Sequence, residues 1–178
     1  MKIFIDSAKQ SEIQEAFETG LIDGVTTNPS LLKKATQEMT KRITTKALDR
    51  YIRQVLKTAK GKPVSLEVTK TTYDEMLAQA YQLYKKYNTY GKNVVIKIPI
   101  NPSFSSKPSF TGIKVIKELS KKNIPVNATL IFTPQQALLA AKAGARYVSP
   151  FVGRLDDYLG NKAKKKFRAA INKSWIKK

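Results

Sequence analysis

The 178-residue sequence contains no cysteine and no histidine. The absence of cysteine excludes disulfides and thiolate metal sites, and the absence of histidine excludes imidazole as a catalytic base or a metal ligand. No stretch is apolar for long enough to span a membrane, and no signal-peptide pattern opens the sequence. We therefore expect a cytoplasmic protein that makes no membrane contact and holds no metal.

Acidic residues are scarce relative to basic ones. The sequence has 33 Lys and Arg residues against 13 Asp and Glu residues, a formal charge of +20, which would attract nucleic acid, anionic membranes or phosphorylated metabolites. After Asp157 there is no acid, while eight basic residues follow. We divide the chain into a domain of residues 1–160 and a basic, predicted helical tail of residues 161–178. The charge of the tail indicates a solvated helix rather than a nucleic-acid site.

Short apolar runs predict six strands, and helical patterns separate them. The predicted strands cover residues 3–5, 24–27, 63–68, 93–99, 125–132 and 147–152. Alternation of this kind predicts parallel βαβ units, and these form either a (β/α) barrel or a doubly wound sheet. The fold class is therefore α/β.

Helix boundaries are predicted from capping patterns. Ser7 with Gln10 matches a capping box before the first helix, and Asn28 precedes Pro29 in the way that helix N-termini favour. A strong three-to-four spacing of apolar residues predicts one long helix over residues 40–59.

The fourth predicted strand carries one charge, Lys97, among β-branched residues. If both faces of this strand are buried, an ammonium group is costly there, and burial favours the neutral amine. A neutral amine can attack a carbonyl group to form a Schiff base. The alternative is that Lys97 lies on an edge strand and extends its ammonium group to water.

Polar side chains cluster where the predicted strands end, which is where barrel enzymes carry catalytic groups. They are Asp6, Asn28, Glu67, Lys97, Thr129 and Ser149, with Asn127 on the same face as Thr129. Each of the six strand-end residues comes from a different strand, which favours a ring around one site. We expect Asp6 and Glu67 to be buried acids that exchange protons with Lys97 or hold a water. The structural alternatives are that Asp6 and Asn28 cap helices and that Glu67 only pairs with Lys97.

Several segments, together with Asp6, resemble the transaldolase family. They are Gly-Val-Thr-Thr-Asn-Pro-Ser at residues 24–30, Ile-Lys-Ile-Pro at 96–99, Asn-Ala-Thr-Leu at 127–130 and Ser-Pro-Phe-Val-Gly-Arg at 149–154. The resemblance runs from residue 1 to about residue 157. It is closest to the short transaldolases, a group that also contains fructose-6-phosphate aldolase.

This resemblance implies a (β/α)8 TIM-barrel fold, of which about six β/α units are present here. It implies a transferase that moves a dihydroxyacetone unit between sugar phosphates, as in the pentose phosphate pathway, without any cofactor. In that chemistry Lys97 forms the Schiff base, Asp6 is the general acid and base, and Glu67 and Thr129 hold the catalytic water. Substrate contacts are implied for Asn28, Asn127, Ser149, Phe151 and Arg154, the last of these at the phosphate.

Two positions resemble the transaldolase branch rather than the aldolase branch. The resemblance implies that the aldolase branch has Gln where this chain has Glu67, and Tyr where this chain has Phe151.

The family pattern also contains a seventh and an eighth strand, for which we find no matching motif. We therefore expect open edges on the first and sixth strands, marginal stability and assembly into a homo-oligomer. Apart from a transaldolase or an aldolase, an inactive or oligomer-dependent remnant and a basic nucleic-acid-binding protein remain as alternatives.

Overall fold

A computed structural model describes residues 1–40, 42–101, 109–153 and 156–161. Within these residues, six strands form one parallel sheet in chain order. They are β1 (Phe4–Asp6), β2 (Gly24–Thr26), β3 (Val64–Glu67), β4 (Val94–Pro99), β5 (Val126–Ile131) and β6 (Tyr147–Pro150). A doubly wound sheet would reverse its strand order at a switch point. The uninterrupted order therefore excludes that alternative and confirms a barrel-type arrangement.

Helices connect the strands. They are α1 (Gln10–Glu18), α2 (Pro29–Met39), α3 (Thr45–Thr58), α4 (Tyr73–Gly91), α5 (Thr111–Lys121) and α6 (Pro134–Lys142), and residues 156–161 are helical as well. None of the helices in the described ranges combines the length and apolarity that crossing a bilayer requires. Apart from Asn161, the predicted basic tail lies outside the described residues.

The predicted helix starts are right in one case and wrong in another. Asn28 caps α2, because its side-chain oxygen accepts a hydrogen bond from the backbone N–H of Leu31 at 2.9 Å. The predicted capping box of Ser7 and Gln10 is wrong. The N-cap of α1 is Lys9, and no side chain caps it; Ser7 instead accepts a hydrogen bond from the Lys9 backbone N–H.

The long helix predicted over residues 40–59 is shorter than expected. It begins at Thr45, because Thr44 adopts an extended backbone and its hydroxyl oxygen accepts a hydrogen bond from the backbone N–H of Ala47 at 3.1 Å. The apolar spacing is present, but the capping by Thr44 makes the helix begin five residues later than apolar periodicity alone predicts.

The core lies between the sheet and its helices. Buried side chains of three helices pack there: Val55 and Leu56 of α3, Met76 and Ala80 of α4, and Val115, Ile116 and Leu119 of α5. All six residues of β4 are buried, and β4 lies between β3 and β5. Strand side chains alternate between the helix-facing side and the interior. Because the register pairs Glu67 with Lys97 and Lys97 with Asn127, these three side chains face the interior together.

The two edge strands approach each other through their side chains. Within the described residues, β1 pairs only with β2 and β6 only with β5, yet the rings of Phe4 and Tyr147 lie 5.0 Å apart in an edge-to-face arrangement. The sheet is therefore curled into an incomplete (β/α) barrel. Among the described residues its β1 and β6 edges have no further strand beside them, as expected, and the aromatic pair bridges the gap near the amino ends of the strands.

Gly24 makes room for this aromatic contact. A Cβ atom at position 24 would lie 2.4 Å from Cε1 of Phe4 and 2.7 Å from the carbonyl oxygen of Pro63. Any larger residue must therefore displace either the Phe4 ring or the backbone of the neighbouring strand.

We predict that Gly24→Ala lowers the free energy of unfolding by about 1–3 kcal/mol, the usual cost of overpacking a core. Urea denaturation followed by circular dichroism measures the change. Gly160→Ala is the matched control, because a Cβ atom there meets no atom within 4 Å and alanine favours a helix. Equal unfolding midpoints for Gly24→Ala and the wild type would show that Phe4 does not occupy this space.

Candidate functional site

Most of the predicted site residues line one cavity of about 820 Å³. The cavity lies inside the curled sheet and extends along the gap between β1 and β6. Seven of the nine predicted residues line it: Asp6, Asn28, Glu67, Lys97, Asn127, Ser149 and Phe151. Thr129 is fully buried and does not line the cavity, and Arg154 lies outside the described residues. The strand ends therefore converge as the sequence predicts.

Lys97 is the most deeply buried charge of this site. It is 4% exposed, and its Nζ atom donates a hydrogen bond to the carbonyl oxygen of Thr27 at 3.2 Å. Oε2 of Glu67 lies 3.6 Å from Nζ, which is ion-pair distance but long for a hydrogen bond. Because β4 is a central strand, the interpretation of Lys97 as an edge-strand residue that reaches water is wrong.

Glu67 ends β3 beside Lys97, and its side chain is 17% exposed. Burial raises the pKa of Glu67, since desolvation penalises the carboxylate, while the positive charge of Lys97 opposes this rise. The negative charge of Asp6 raises the pKa of Glu67 further. Glu67 is thus better able to hold a proton than an ordinary carboxylate.

Asp6 lies at the end of the edge strand β1 and is exposed, so the expectation of a buried acid is wrong. Its Oδ1 accepts a hydrogen bond from the hydroxyl of Thr26 at 2.8 Å. The alternative that Asp6 caps the first helix is also wrong, because Lys9 is the N-cap residue. Asp6 is exposed because its strand has a neighbour on one side only.

A chain of hydrogen bonds crosses the interior from β6 through β5 to β3. The hydroxyl of Ser149 donates to Oδ1 of Asn127 at 3.0 Å, and Nδ2 of Asn127 donates to the hydroxyl oxygen of Ser65 at 3.1 Å. Asn127 and Ser65 are almost completely buried. The sequence analysis missed Ser65 and Thr26. Strand parity could have found Ser65, which shares the interior face with Glu67 two residues later.

Thr129 continues the interior face of β5 beyond Asn127. It is paired in register with Pro99 and is completely buried, and its hydroxyl has no hydrogen-bond partner among the described residues. A buried hydroxyl usually finds a partner, so this group has its hydrogen-bonding capacity free. Across the described ranges, no set of three or more carboxylates is arranged to hold a metal ion.

The raised pKa of Glu67 makes stability depend on pH. In the interval between the unfolded carboxyl pKa of about 4.3 and the higher folded value, the folded state binds more protons, so wild-type stability falls as pH rises. Glu67→Gln removes the titrating carboxyl group, so the stability of the variant does not fall for this reason. We predict that the stability of the variant relative to the wild type rises with pH through this interval and then levels off.

Urea unfolding at several values from about pH 3 to pH 8 measures this difference. Glu75→Gln is a control of opposite sign, because a hydrogen bond from Thr72 lowers the pKa of Glu75. The stability of Glu75→Gln relative to the wild type falls as the pH rises toward the pKa of an unfolded glutamate. A pH-independent difference for Glu67→Gln would contradict the burial of this carboxyl group.

Comparisons with known proteins identify the family of the chain. A family model described as Transaldolase/Fructose-6-phosphate aldolase matches residues 3–177. A protein of Thermoplasma volcanium named "Probable transaldolase" is 47% identical over 157 residues, which are 88% of this chain and 62% of that protein. A "Probable transaldolase" of Citrifermentans bemidjiense is 47% identical over 161 residues, 90% of this chain and 65% of that protein. The chain thus spans less than two thirds of the length of these relatives.

One solved structure is similar in fold. The sialic acid aldolase of Ruminococcus gnavus matches with a TM-score of 0.50 at 14% identity, over 84% of this chain and 54% of that chain. At this identity the likeness concerns the barrel architecture only. The family match over nearly the whole length and the two relatives at 47% identity decide the assignment: this chain belongs to the transaldolase/fructose-6-phosphate aldolase family.

Proposed function

We propose that this chain transfers a dihydroxyacetone unit between sugar phosphates through a Schiff base on Lys97. The observation that carries the proposal is the position of Lys97, which is 4% exposed, faces the interior cavity and lies 3.6 Å from Glu67. A lysine in such surroundings has one carboxylate close enough to accept its proton. Family membership and the name of the two relatives support the same reaction class.

The reaction begins with a proton transfer within the buried pair. Glu67 takes a proton from Lys97, and the resulting neutral amine attacks the ketose carbonyl carbon to form a C–N bond as the C=O π bond breaks. One N–H proton then moves to the oxygen, which gives the carbinolamine. The protonated Glu67 then gives this proton to the hydroxyl of the carbinolamine, which leaves as water, and an iminium ion remains. The raised pKa of Glu67 suits it to both steps, and Glu67, which lines the cavity, holds the departing water; Thr129 does not line the cavity and has no contact with this water.

Carbon–carbon cleavage uses Asp6 as the base. Its carboxylate takes the proton of the sugar hydroxyl next to the scissile bond, the bond breaks, and the aldose phosphate leaves. The bonding electrons move to the iminium ion and form an enamine on Lys97. This enamine attacks the aldehyde of the acceptor, Asp6 returns its proton to the new hydroxyl, and water hydrolyses the iminium ion to release the product ketose.

Polar groups around the cavity hold the sugar chain. In the proposal, Asn28, Asn127 and Ser149 form hydrogen bonds with the substrate hydroxyls, and Arg154 binds the phosphate. Ser149 donates its proton to Asn127, so its remaining lone pairs accept from the substrate. We further propose that the reaction belongs to the cytoplasmic pentose phosphate pathway, that it needs no cofactor, and that copies of the chain assemble through the open strand edges.

We predict that Lys97→Ala reduces carbon transfer by more than about 1,000-fold, because loss of a covalent nucleophile removes the reaction path itself. Transfer from fructose 6-phosphate to erythrose 4-phosphate is measured with protein purified from a host without its own transaldolase. Lys114→Ala, an exposed residue of α5, is the control and retains wild-type activity. Activity in a folded Lys97→Ala variant would refute the Schiff base at this residue.

In the proposal, Phe151 favours transfer of the dihydroxyacetone unit to an acceptor over its release by hydrolysis. It lines the cavity and packs against Phe132 with ring centroids 5.7 Å apart, and its ring offers no hydrogen bond to water. We predict that Phe151→Tyr increases release of free dihydroxyacetone relative to transfer, because a hydroxyl here can orient a water for hydrolysis. Product analysis with and without an acceptor gives the ratio, and Phe132→Tyr is the control. An unchanged ratio would mean that Phe151 does not control access of water.

A further inference from the structure

The carboxylate of Asp6 has few constraints on its position. It lies on a three-residue strand with one neighbouring strand and is exposed. Its described contacts include one side-chain hydrogen bond, from the hydroxyl of Thr26 at 2.8 Å. Within the described ranges, no lysine or arginine forms an ion pair with Asp6. A freely rotating carboxylate at this edge would spend much of its time in solvent.

We infer that Thr26 is a positioning residue, whose hydroxyl holds Oδ1 of Asp6 at the cavity and so leaves Oδ2 to exchange a proton with the substrate. The inference rests on the proposed function, in which Asp6 is the base of carbon–carbon cleavage. Thr26 itself needs no contact with the reacting atoms.

The surroundings of Thr26 suit it to this role. It is the register partner of Asp6 on β2, so both side chains project to the same face of the sheet. It is 7% exposed, and its β-branched side chain has few rotamers, so the position of its hydroxyl oxygen is restricted. Its hydroxyl oxygen also lies 3.5 Å from the carbonyl oxygen of Ile5.

Loss of the hydrogen bond between Thr26 and Asp6 changes the position of the Asp6 carboxylate more than the stability of the fold. Because Asp6 is exposed, water replaces the lost donor, and no charge is left buried without a partner. Valine has the shape of threonine and favours strands. Thr26→Val therefore keeps the fold while Asp6 turns toward solvent.

We expect Thr26→Val to lower kcat by about 10–100-fold, the range for a hydrogen bond to a charged group, and to leave KM for the ketose donor within about twofold. Total borohydride trapping on Lys97 stays at the wild-type level, because the Schiff base forms before Asp6 acts, but more of it carries the uncleaved six-carbon donor and less the three-carbon unit that cleavage leaves. Thr26→Ser retains the hydroxyl and restores most of kcat. Thr36→Val is the matched control, since Thr36 is a buried threonine of α2 whose hydroxyl donates to the carbonyl oxygen of Leu32 in the same helix.

A double-mutant cycle with Asp6→Ala separates positioning from a general structural effect. If Thr26 acts through Asp6, Thr26→Val causes no further loss of kcat in the Asp6→Ala background. Thr26→Ala is the second variant if valine disturbs packing. Wild-type kcat in folded Thr26→Val, failure of Thr26→Ser to rescue, or an equal loss in the Asp6→Ala background would each overturn the inference. If the wild-type chain itself forms no adduct, the proposed function fails, and that result is distinct from these three.

Discussion

The ion pair between Lys97 and Glu67 constrains the rest of the interior. A lysine ammonium in a fully buried strand is costly without a partner, and here the partner comes from the neighbouring strand in exact register, 3.6 Å away. This pairing requires that the inward faces of β3 and β4 coincide. Ser65 then faces inward as well, because it lies two residues before Glu67 on the same strand, and Asn127 does so because it is the register partner of Lys97 on β5. The polar interior therefore follows from the pair of charges, the two-residue period and the register of three strands.

Curvature brings the remaining groups to that pair. Asp6 and Ser149 belong to the two edge strands, and they line the same cavity because the sheet bends until Phe4 meets Tyr147. That aromatic contact depends in turn on the missing side chain of Gly24. The edge strands are less constrained than β4, and this difference explains why Lys97 is held by burial while Asp6 is held by a single hydroxyl.

The sequence was sufficient for the six strands and for much of the site. The alternation of strands and helices left a barrel and a doubly wound sheet open, and the family resemblance favoured the barrel. Five of the six strand-end polar residues line the cavity, as does Asn127, whereas Phe151 was named only through the resemblance. The exposure of Asp6 was missed although the first strand was expected to form an open edge, because burial was inferred from the apolar residues that precede Asp6 in the sequence. The capping of α1 by Lys9 rather than Ser7 also depends on tertiary contacts. Thr26 and Ser65 were missed because short hydroxyl side chains are common in strands, and only cross-strand register gives them a role.

The most direct test of Lys97 as the covalent nucleophile is to trap its intermediate. The purified chain is incubated with fructose 6-phosphate and sodium borohydride, digested, and mapped by mass spectrometry. The sequence offers many exposed lysines as competitors, so the position of the adduct is informative. We expect one reduced three-carbon adduct, on the peptide that contains Lys97. An adduct spread over surface lysines, or no adduct on a chain shown to be folded, would contradict a Schiff base in this cavity.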